Sequence, residues 1–138
     1  MKVNLVEIKS MQDFEYIRKL RNKSYVRLNS LNKKIISNEE HIKWVKKNKI
    51  NKIYILKNRK KNIGYIRINE NKFVSWALEK KFWGKIKFSE YLKKSISNKK
   101  FNYLCVILSN NLRSQIVALK AGFRFNKMIG KKIYFFKK

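Results

Sequence analysis

The stretch Phe73-Val-Ser-Trp-Ala-Leu78, running on through Glu79-Lys-Lys-Phe-Trp-Gly84 to Lys85-Ile-Lys-Phe-Ser-Glu-Tyr-Leu92, decides the reading of the fold. Val74, Trp76 and Leu78 alternate with Phe73, Ser75 and Ala77, and this β-branched and aromatic content suits a pleated, largely buried strand. After Gly84 the period changes. Phe88, Tyr91, Leu92 and Ile96 recur at three- and four-residue spacing, which gathers them on one face of a helix. The stretch is therefore predicted as strand, tight turn, helix. Such a turn aims the helix's unpaired first N–H groups and its positive dipole end beyond the strand, and Lys80, Lys81, Lys85 and Lys87 add formal charge around it. A phosphate or pyrophosphate is the expected guest; an ordinary strand-helix connection with solvated lysines is the alternative.

Upstream, Ile53-Tyr-Ile-Leu56 and Ile63-Gly-Tyr-Ile-Arg-Ile68 read as a hairpin across the basic turn Lys57–Asn62, and the central strand completes an antiparallel meander. Before it, Ser37-Asn-Glu-Glu40 is a capping box that opens a helix with Ile42, Trp44 and Val45 directed inward and His41 one position before that face. A shorter helical piece carries Tyr25, Val26 and Leu28. Ser10 and Asp13 cap a first helix striped by Phe14, Ile17 and Leu20, and Val3 to Ile8 alternate as a first strand. Downstream, Phe101 to Leu108 is the most continuously apolar strand, as expected for one covered on both faces. Asn111 caps a helix striped by Leu112, Ile116 and Leu119 and ended by Gly122. Phe123–Phe125 and Ile133–Phe136 read as a closing strand pair that turns near Gly130. The order implies a single α/β domain over residues 1–138, with a mixed, mostly antiparallel central sheet flanked by helices.

With 138 residues, 44% of them hydrophobic, the chain is long enough to bury one continuous core, and zero prolines and four glycines leave no linker-like boundary. One cysteine, Cys105 in an apolar run, excludes a disulfide framework. That, with no signal peptide and no apolar run of about 18 residues, gives the expectation of a cytoplasmic protein outside the membrane. The 36 Lys+Arg against 8 Asp+Glu give a net charge of +28, which would draw polyanions nonspecifically. The lysines are spread along the whole chain and are not gathered into a stripe, as they would be if AT-rich codons had drifted into tolerant surface positions.

Asn111 followed by Ser114-Gln-Ile-Val-Ala-Leu-Lys-Ala-Gly-Phe123 resembles the closing motif of the GNAT acyl-CoA N-acyltransferases, and the order of elements agrees over nearly the whole chain. The resemblance implies acetyl-CoA as co-substrate. It places Asn111 and Ser114 on the cofactor side, sets the central strand around Leu78 against the pantetheine arm, and makes the turn of Trp83, Gly84, Lys85, Ile86 and Lys87 the pyrophosphate loop. Here the sequence departs from the family. The loop pattern Arg/Gln-x-x-Gly-x-Gly/Ala becomes Trp83, Ile86 and Phe88, and Ala118 stands where many relatives have a tyrosine general acid.

In the N-terminal half, Arg21-Asn22, Val26-Arg27, Ile36-Ser37 and Glu40-His41 with Trp44 are similar to amino-sugar-nucleotide N-acetyltransferases of the pseudaminic-acid type, while the Ser-Gln-x-Val spacing is similar to ribosomal-protein N-terminal acetyltransferases. The first similarity implies a primary amine on a nucleotide-linked amino sugar as acceptor, with Arg21, Asn22, Arg27 and His41 around it; the second, a protein N-terminus.

Acetyl transfer needs a neutral amine, a polarised carbonyl and a proton for the leaving sulfur. Backbone N–H groups near Leu78 and Glu79 are candidates for the second requirement. Glu79 and His41 are candidate bases, against the alternatives of a strand-end charge balancing Lys80 and Lys81 and of a structural histidine. Asn111 and Ser114 would also serve as plain helix caps. One histidine and one cysteine do not make a tetrahedral zinc site, so no metal is expected. A reading of a different class is a catalytically degenerate fold that binds RNA or another polyanion by stacking bases on Tyr65, Phe73, Trp76 and Trp83. An exposed platform of these aromatics would favour that binding protein. A V-shaped opening between the central strand and the 101–108 strand would favour the enzyme.

Overall fold

A computed structural model describes residues 2–8, 10–47 and 52–138. Its strands form two antiparallel sheets that touch at one point. The first sheet has the order β1 (Val3–Glu7), β2 (Lys52–Asn58), β3 (Lys61–Ile68), β4 (Val74–Leu78). The second has the order β5 (Tyr103–Leu108), β7 (Lys132–Lys137), β6 (Arg124–Ile129). Between them, Phe73 makes a single parallel bridge to Leu104, whose N–H donates to the Lys72 carbonyl at 2.9 Å. Beyond that bridge β4 and β5 are not paired, so the two sheets open as a V.

The helices are α1 (Met11–Asn22), α2 (Ser24–Arg27), α3 (Asn38–Lys47), α4 (Phe88–Ser95) and α5 (Leu112–Lys120). They cover opposite faces of the first sheet because β3 alternates. Ile66 and Ile68 enter the main core with Val74, Phe88, Leu92, Ile96, Cys105 and Phe123. Tyr65 enters a second core with Ile17, Leu20, Ile53 and Ala77 beneath α1 to α3. Pairing passes from Leu56–Gly64 to Lys57–Asn62, leaving Ile63 as an extra residue that a bulge turns into the main core. Gly64 is required where it stands: a Cβ there would lie 2.7 Å from the Ala77 carbonyl oxygen.

Both predicted capping arrangements form. Ser10 Oγ accepts from the Asp13 N–H at 3.3 Å, and Ser37 Oγ from the Glu40 N–H at 3.2 Å. The meander forms as expected, its hairpin tightened to a turn at Arg59 and Lys60. Four expectations are corrected. The helix after β4 does not follow directly on Gly84: a 3-10 turn at Lys80–Phe82 intervenes, Gly84 takes φ +75°, and α4 begins only at Phe88. The Phe101–Leu108 strand begins at Tyr103 and alternates buried with half-buried residues, so it is not covered evenly on both faces. His41 is the buried residue of α3, while Ile42, Trp44 and Val45 are half-buried. The stripe of α5 faces outward, with Leu112, Ile116 and Leu119 exposed by 65%, 53% and 54%. Its core face is Ala118 with Val117, continued by Ala121, and these smaller side chains let the helix lie close against the sheets. Apolar residues surround this helix, so spacing alone offered two stripes and the larger one is the solvent-facing one.

Candidate active site

Two cavities open along the V, one on either side of Trp76. The first, about 670 Å³, is walled by the end of β4, the loop that follows it, and the starts of α4 and α5. The second, about 510 Å³, is walled by α1, α3, the 29–36 loop, Tyr65 and Arg67 of β3, the 74–76 stretch of β4 and Cys105, Val106 and Ile107 of β5. Asn29, Ser30, Trp76, Asn111 and Ser114 line both, so the cavities adjoin at these five residues.

The first cavity is built around an open strand edge. The Glu79 N–H donates to the Ile63 carbonyl at 2.9 Å, so alternation directs the backbone groups of Trp76 and Leu78 away from β3, toward the gap before β5. The expectation that the Glu79 N–H polarises a carbonyl is thereby corrected, since that N–H is spent inside the sheet. The Leu78 carbonyl accepts from the Trp83 indole N–H at 2.9 Å. Trp83 is fixed further by an edge-to-face contact with Tyr25, centroids 5.5 Å apart, and by the Arg113 guanidinium 3.2 Å from its ring centre. Phe88 is buried in the main core and Ile86 packs against it. Both also wall the cavity, so the two departures from the glycine-rich pattern are absorbed into the interior. Lys87, Lys93, Arg113 and Lys120 line this cavity against the single carboxylate Glu90, a balance suited to a polyphosphate.

Of the residues expected on the cofactor side, Leu78, Trp83, Gly84, Ile86, Lys87, Asn111 and Ser114 line this cavity, and Lys85 does not. Asn111 caps α5 through Oδ1, which accepts from the Ser114 N–H at 3.3 Å. Gln115 ties the same turn down by donating to the Leu108 and Ser109 carbonyls at 3.1 and 3.0 Å.

Of the residues expected around the acceptor, Arg21 and His41 line the second cavity, whereas Asn22 and Arg27 do not. Asn22 grips Ile36 at two points, donating to its carbonyl and accepting from its N–H, each at 2.8 Å. Arg27 donates to the Lys33 carbonyl at 3.1 Å, and Arg21 Nη2 donates to the Asn32 carbonyl. These contacts hold the 29–36 loop that walls the cavity. His41 is 5% exposed, stacked on Trp44 with centroids 5.6 Å apart, and its Nε2 lies 2.7 Å from the Phe14 carbonyl. A carbonyl only accepts, so Nε2 carries the proton and Nδ1 is the basic nitrogen. Burial holds the His41 pKa below its ordinary value, which favours the neutral ring. Glu79 lines neither cavity; its carboxylate accepts from the Tyr16 hydroxyl at 3.1 Å. Burial, reinforced by that carboxylate, pushes the Tyr16 phenol far up.

Sequence reasoning missed Arg67, whose guanidinium lies 4.6 Å from the Trp44 ring centre at the wall of the second cavity. The signal was a charged residue in a strand otherwise reading as buried, Ile63-Gly-Tyr-Ile-Arg-Ile68. The proposed stacking platform does not form: Tyr65 is buried, Trp76 and Trp83 are half-buried at the cavities, and of the four only Phe73 is exposed. Among the described residues no group of three or more His, Cys, Asp or Glu could hold a metal ion, and no helix is long and apolar enough to cross a membrane.

Solved structures resemble this chain over nearly its whole length. A domain from Methanocaldococcus jannaschii superposes with TM-score 0.81 at 19% identity, covering 98% of this chain and 97% of that one. The fold is the GNAT N-acetyltransferase fold. Spermidine N-acetyltransferase from Vibrio cholerae, in complex with CoA and spermine, gives TM-score 0.79 at 12% identity over 97% of this chain and 94% of that one. A ribosomal L7/L12 α-N-protein acetyltransferase in complex with coenzyme A gives TM-score 0.77 at 16% identity over 99% and 94%. No protein-family model and no curated protein sequence matches the chain.

Proposed function

We propose that this protein is an N-acetyltransferase that uses acetyl-CoA as donor and a primary amine on a nucleotide-linked amino sugar as acceptor. The observation that carries the reading is the pair of adjoining cavities at the split between β4 and β5, one lined by cations beside an open strand edge and the other by Arg21 and His41. Two substrates held on either side of Trp76 would meet without a covalent enzyme intermediate.

The residues of the first cavity fit the donor: Lys87, Lys93, Arg113 and Lys120 suit its phosphates, and the open edge of β4 suits an amide-bearing arm. Bound there, acetyl-CoA supplies an activated acyl group. The Leu78 N–H, directed into the gap, is the donor that polarises the carbonyl. His41 offers Nδ1 as the base that keeps the amine neutral. Ala118 is buried in the core and offers no proton. The Ser114 hydroxyl at the junction is the donor available to the leaving sulfur, because the Ser30 hydroxyl already donates to the Val26 carbonyl at 2.8 Å. Overall the amine nitrogen gains the acetyl group and loses a proton, the carbon–sulfur bond breaks, and the thiol is released. Calorimetric titration with acetyl-CoA followed by a thiol-release assay on nucleotide-linked amino sugars tests this. Saturable binding with acceptor-dependent thiol release is expected. A folded protein that binds no acetyl-CoA at millimolar concentration would overturn the reading.

A further inference from the structure

The charges on the wall of the second cavity do not suit a simple amine. Three arginines line it, Arg18, Arg21 and Arg67, against one carboxylate, Glu40. Arg18 is already engaged, ion-paired with Glu15 and donating to the Ile36 carbonyl. The other two are not satisfied. Arg21 spends Nη2 on the Asn32 carbonyl, while its Nη1 is buried with no hydrogen-bond partner. Arg67 lies against the Trp44 ring, and its Nε is likewise buried without a partner. Both guanidinium groups are near enough to the buried Tyr65 phenol to oppose, electrostatically, the rise that burial imposes on its pKa. Burial lowers the pKa of both arginines, as expected of cations that have lost water without gaining an anion.

We infer that Arg21 and Arg67 form an oxyanion-binding pair in the acceptor cavity, so that the acceptor is recognised through an oxyanion group, as the phosphates of a nucleotide-linked amino sugar supply, with Arg67 a specificity-determining residue. Two guanidinium cations at one cavity wall without a counter-anion attract one, and a guanidinium is shaped to meet phosphate or carboxylate oxygens in pairs. The Trp44 face holds the Arg67 plane, so little freedom is lost on binding. The same pair disfavours polyamines. A cation entering this cavity meets two uncompensated positive charges in a partly desolvated wall. The inference rests on the acceptor side of the reading above, and deepens it.

The test separates the pair from the field of a +28 chain. Binding of inorganic pyrophosphate is measured at fixed ionic strength, with and without saturating CoA to occupy the first cavity, for the wild type, Arg67→Gln, Arg67→Lys, Arg21→Gln and a surface control, Lys60→Gln, at the exposed β2–β3 turn. Arg67→Gln and Arg21→Gln are each expected to weaken binding about tenfold or more, Arg67→Lys less, and Lys60→Gln hardly at all. Acetyl-CoA affinity should be unchanged in Arg67→Gln. In thiol-release kinetics, Arg67→Gln should raise KM for a phosphorylated amino sugar far more than KM for its unphosphorylated counterpart. Equal losses in Arg67→Gln and Lys60→Gln would overturn the inference, as would spermidine being the fastest acceptor. Pyrophosphate binding that depends on Arg67, in a protein that does not bind acetyl-CoA, would support the anion site and contradict the acetyltransferase reading instead. If Arg67→Gln does not fold, Arg67→Lys and Arg21→Gln carry the same comparison.

Discussion

The two cavities are built in different ways although they share Trp76, Asn111 and Ser114. The first is made mainly of the end of β4, the loop that follows it and one side of α4 and α5, closed by Tyr25 and Val26 of α2 and by Asn29 and Ser30. Its cations are mostly lysines, exposed and free to follow a flexible polyphosphate. The second is made of side chains from α1, α3, β3 and the 29–36 loop, fixed by stacking and by hydrogen bonds to backbone. Its cations are arginines, half-buried and tied in place. One wall suits a common cofactor gripped through charge and backbone. The other suits selection of a particular acceptor, because rigid, partly desolvated groups discriminate better than solvated ones.

Changes at the shared strand should damage both sides. In Gly64→Ala the new Cβ would meet the Ala77 carbonyl at 2.7 Å and Leu78 Cα at 3.3 Å, so β3 and β4 must separate. Urea titration is expected to show a loss of about 1–3 kcal/mol, with both substrates bound more weakly. An unchanged midpoint would mean that β4 adjusts freely and does not set the geometry of the V.

Gly84→Val should separate the two sides. Gly84 has φ +75° and open space around the position of a Cβ, so the cost is backbone conformation, about 1–2 kcal/mol, plus obstruction of the loop. The KM for acetyl-CoA should rise while that for the acceptor stays. Asn111→Ala then probes the junction: loss of the cap on the Ser114 N–H costs about 1 kcal/mol and should raise both KM values. Movement of only one would place Asn111 wholly on that side.

The smallest effect belongs to His41. Its folded pKa lies below the ordinary 6.5. Between the two values the unfolded chain binds more protons, so stability rises with pH there and is lost as pH falls below about 6.5. Denaturant midpoints from pH 5 to pH 8 should show this slope in the wild type and not in His41→Gln. A slope retained in His41→Gln would assign the titration to another group.

The same contrast explains what could be read from the sequence. The first cavity draws mostly on the 76–90 stretch and on α5, so strand period, the glycine and the helix cap located its elements, and the resemblance of residues 111–123 to the GNAT closing motif implied Leu78, Trp83, Gly84, Asn111 and Ser114, all of which line it. The meander and the main-core face of α4 were legible for the same reason. The second cavity depends on which way Arg67 points in β3 and on where the 29–36 loop returns, and local periodicity carries neither. Thus Arg27 and Asn22 were expected at the substrate and instead hold the loop, while Arg67 went unnoticed. The outward Leu112, Ile116 and Leu119 show a related limit: on a helix with apolar residues all round, the size of the space beneath it decides which face is buried.

The most direct test of the account is a crystal structure of the protein soaked with acetyl-CoA. The account predicts phosphates among Lys87, Lys93, Arg113 and Lys120, the pantetheine arm along the open edge of β4, and the acetyl group beside Trp76, Asn111 and Ser114 where the cavities meet. Coenzyme bound outside the V, or lying in the cavity of Arg21 and Arg67, would contradict it.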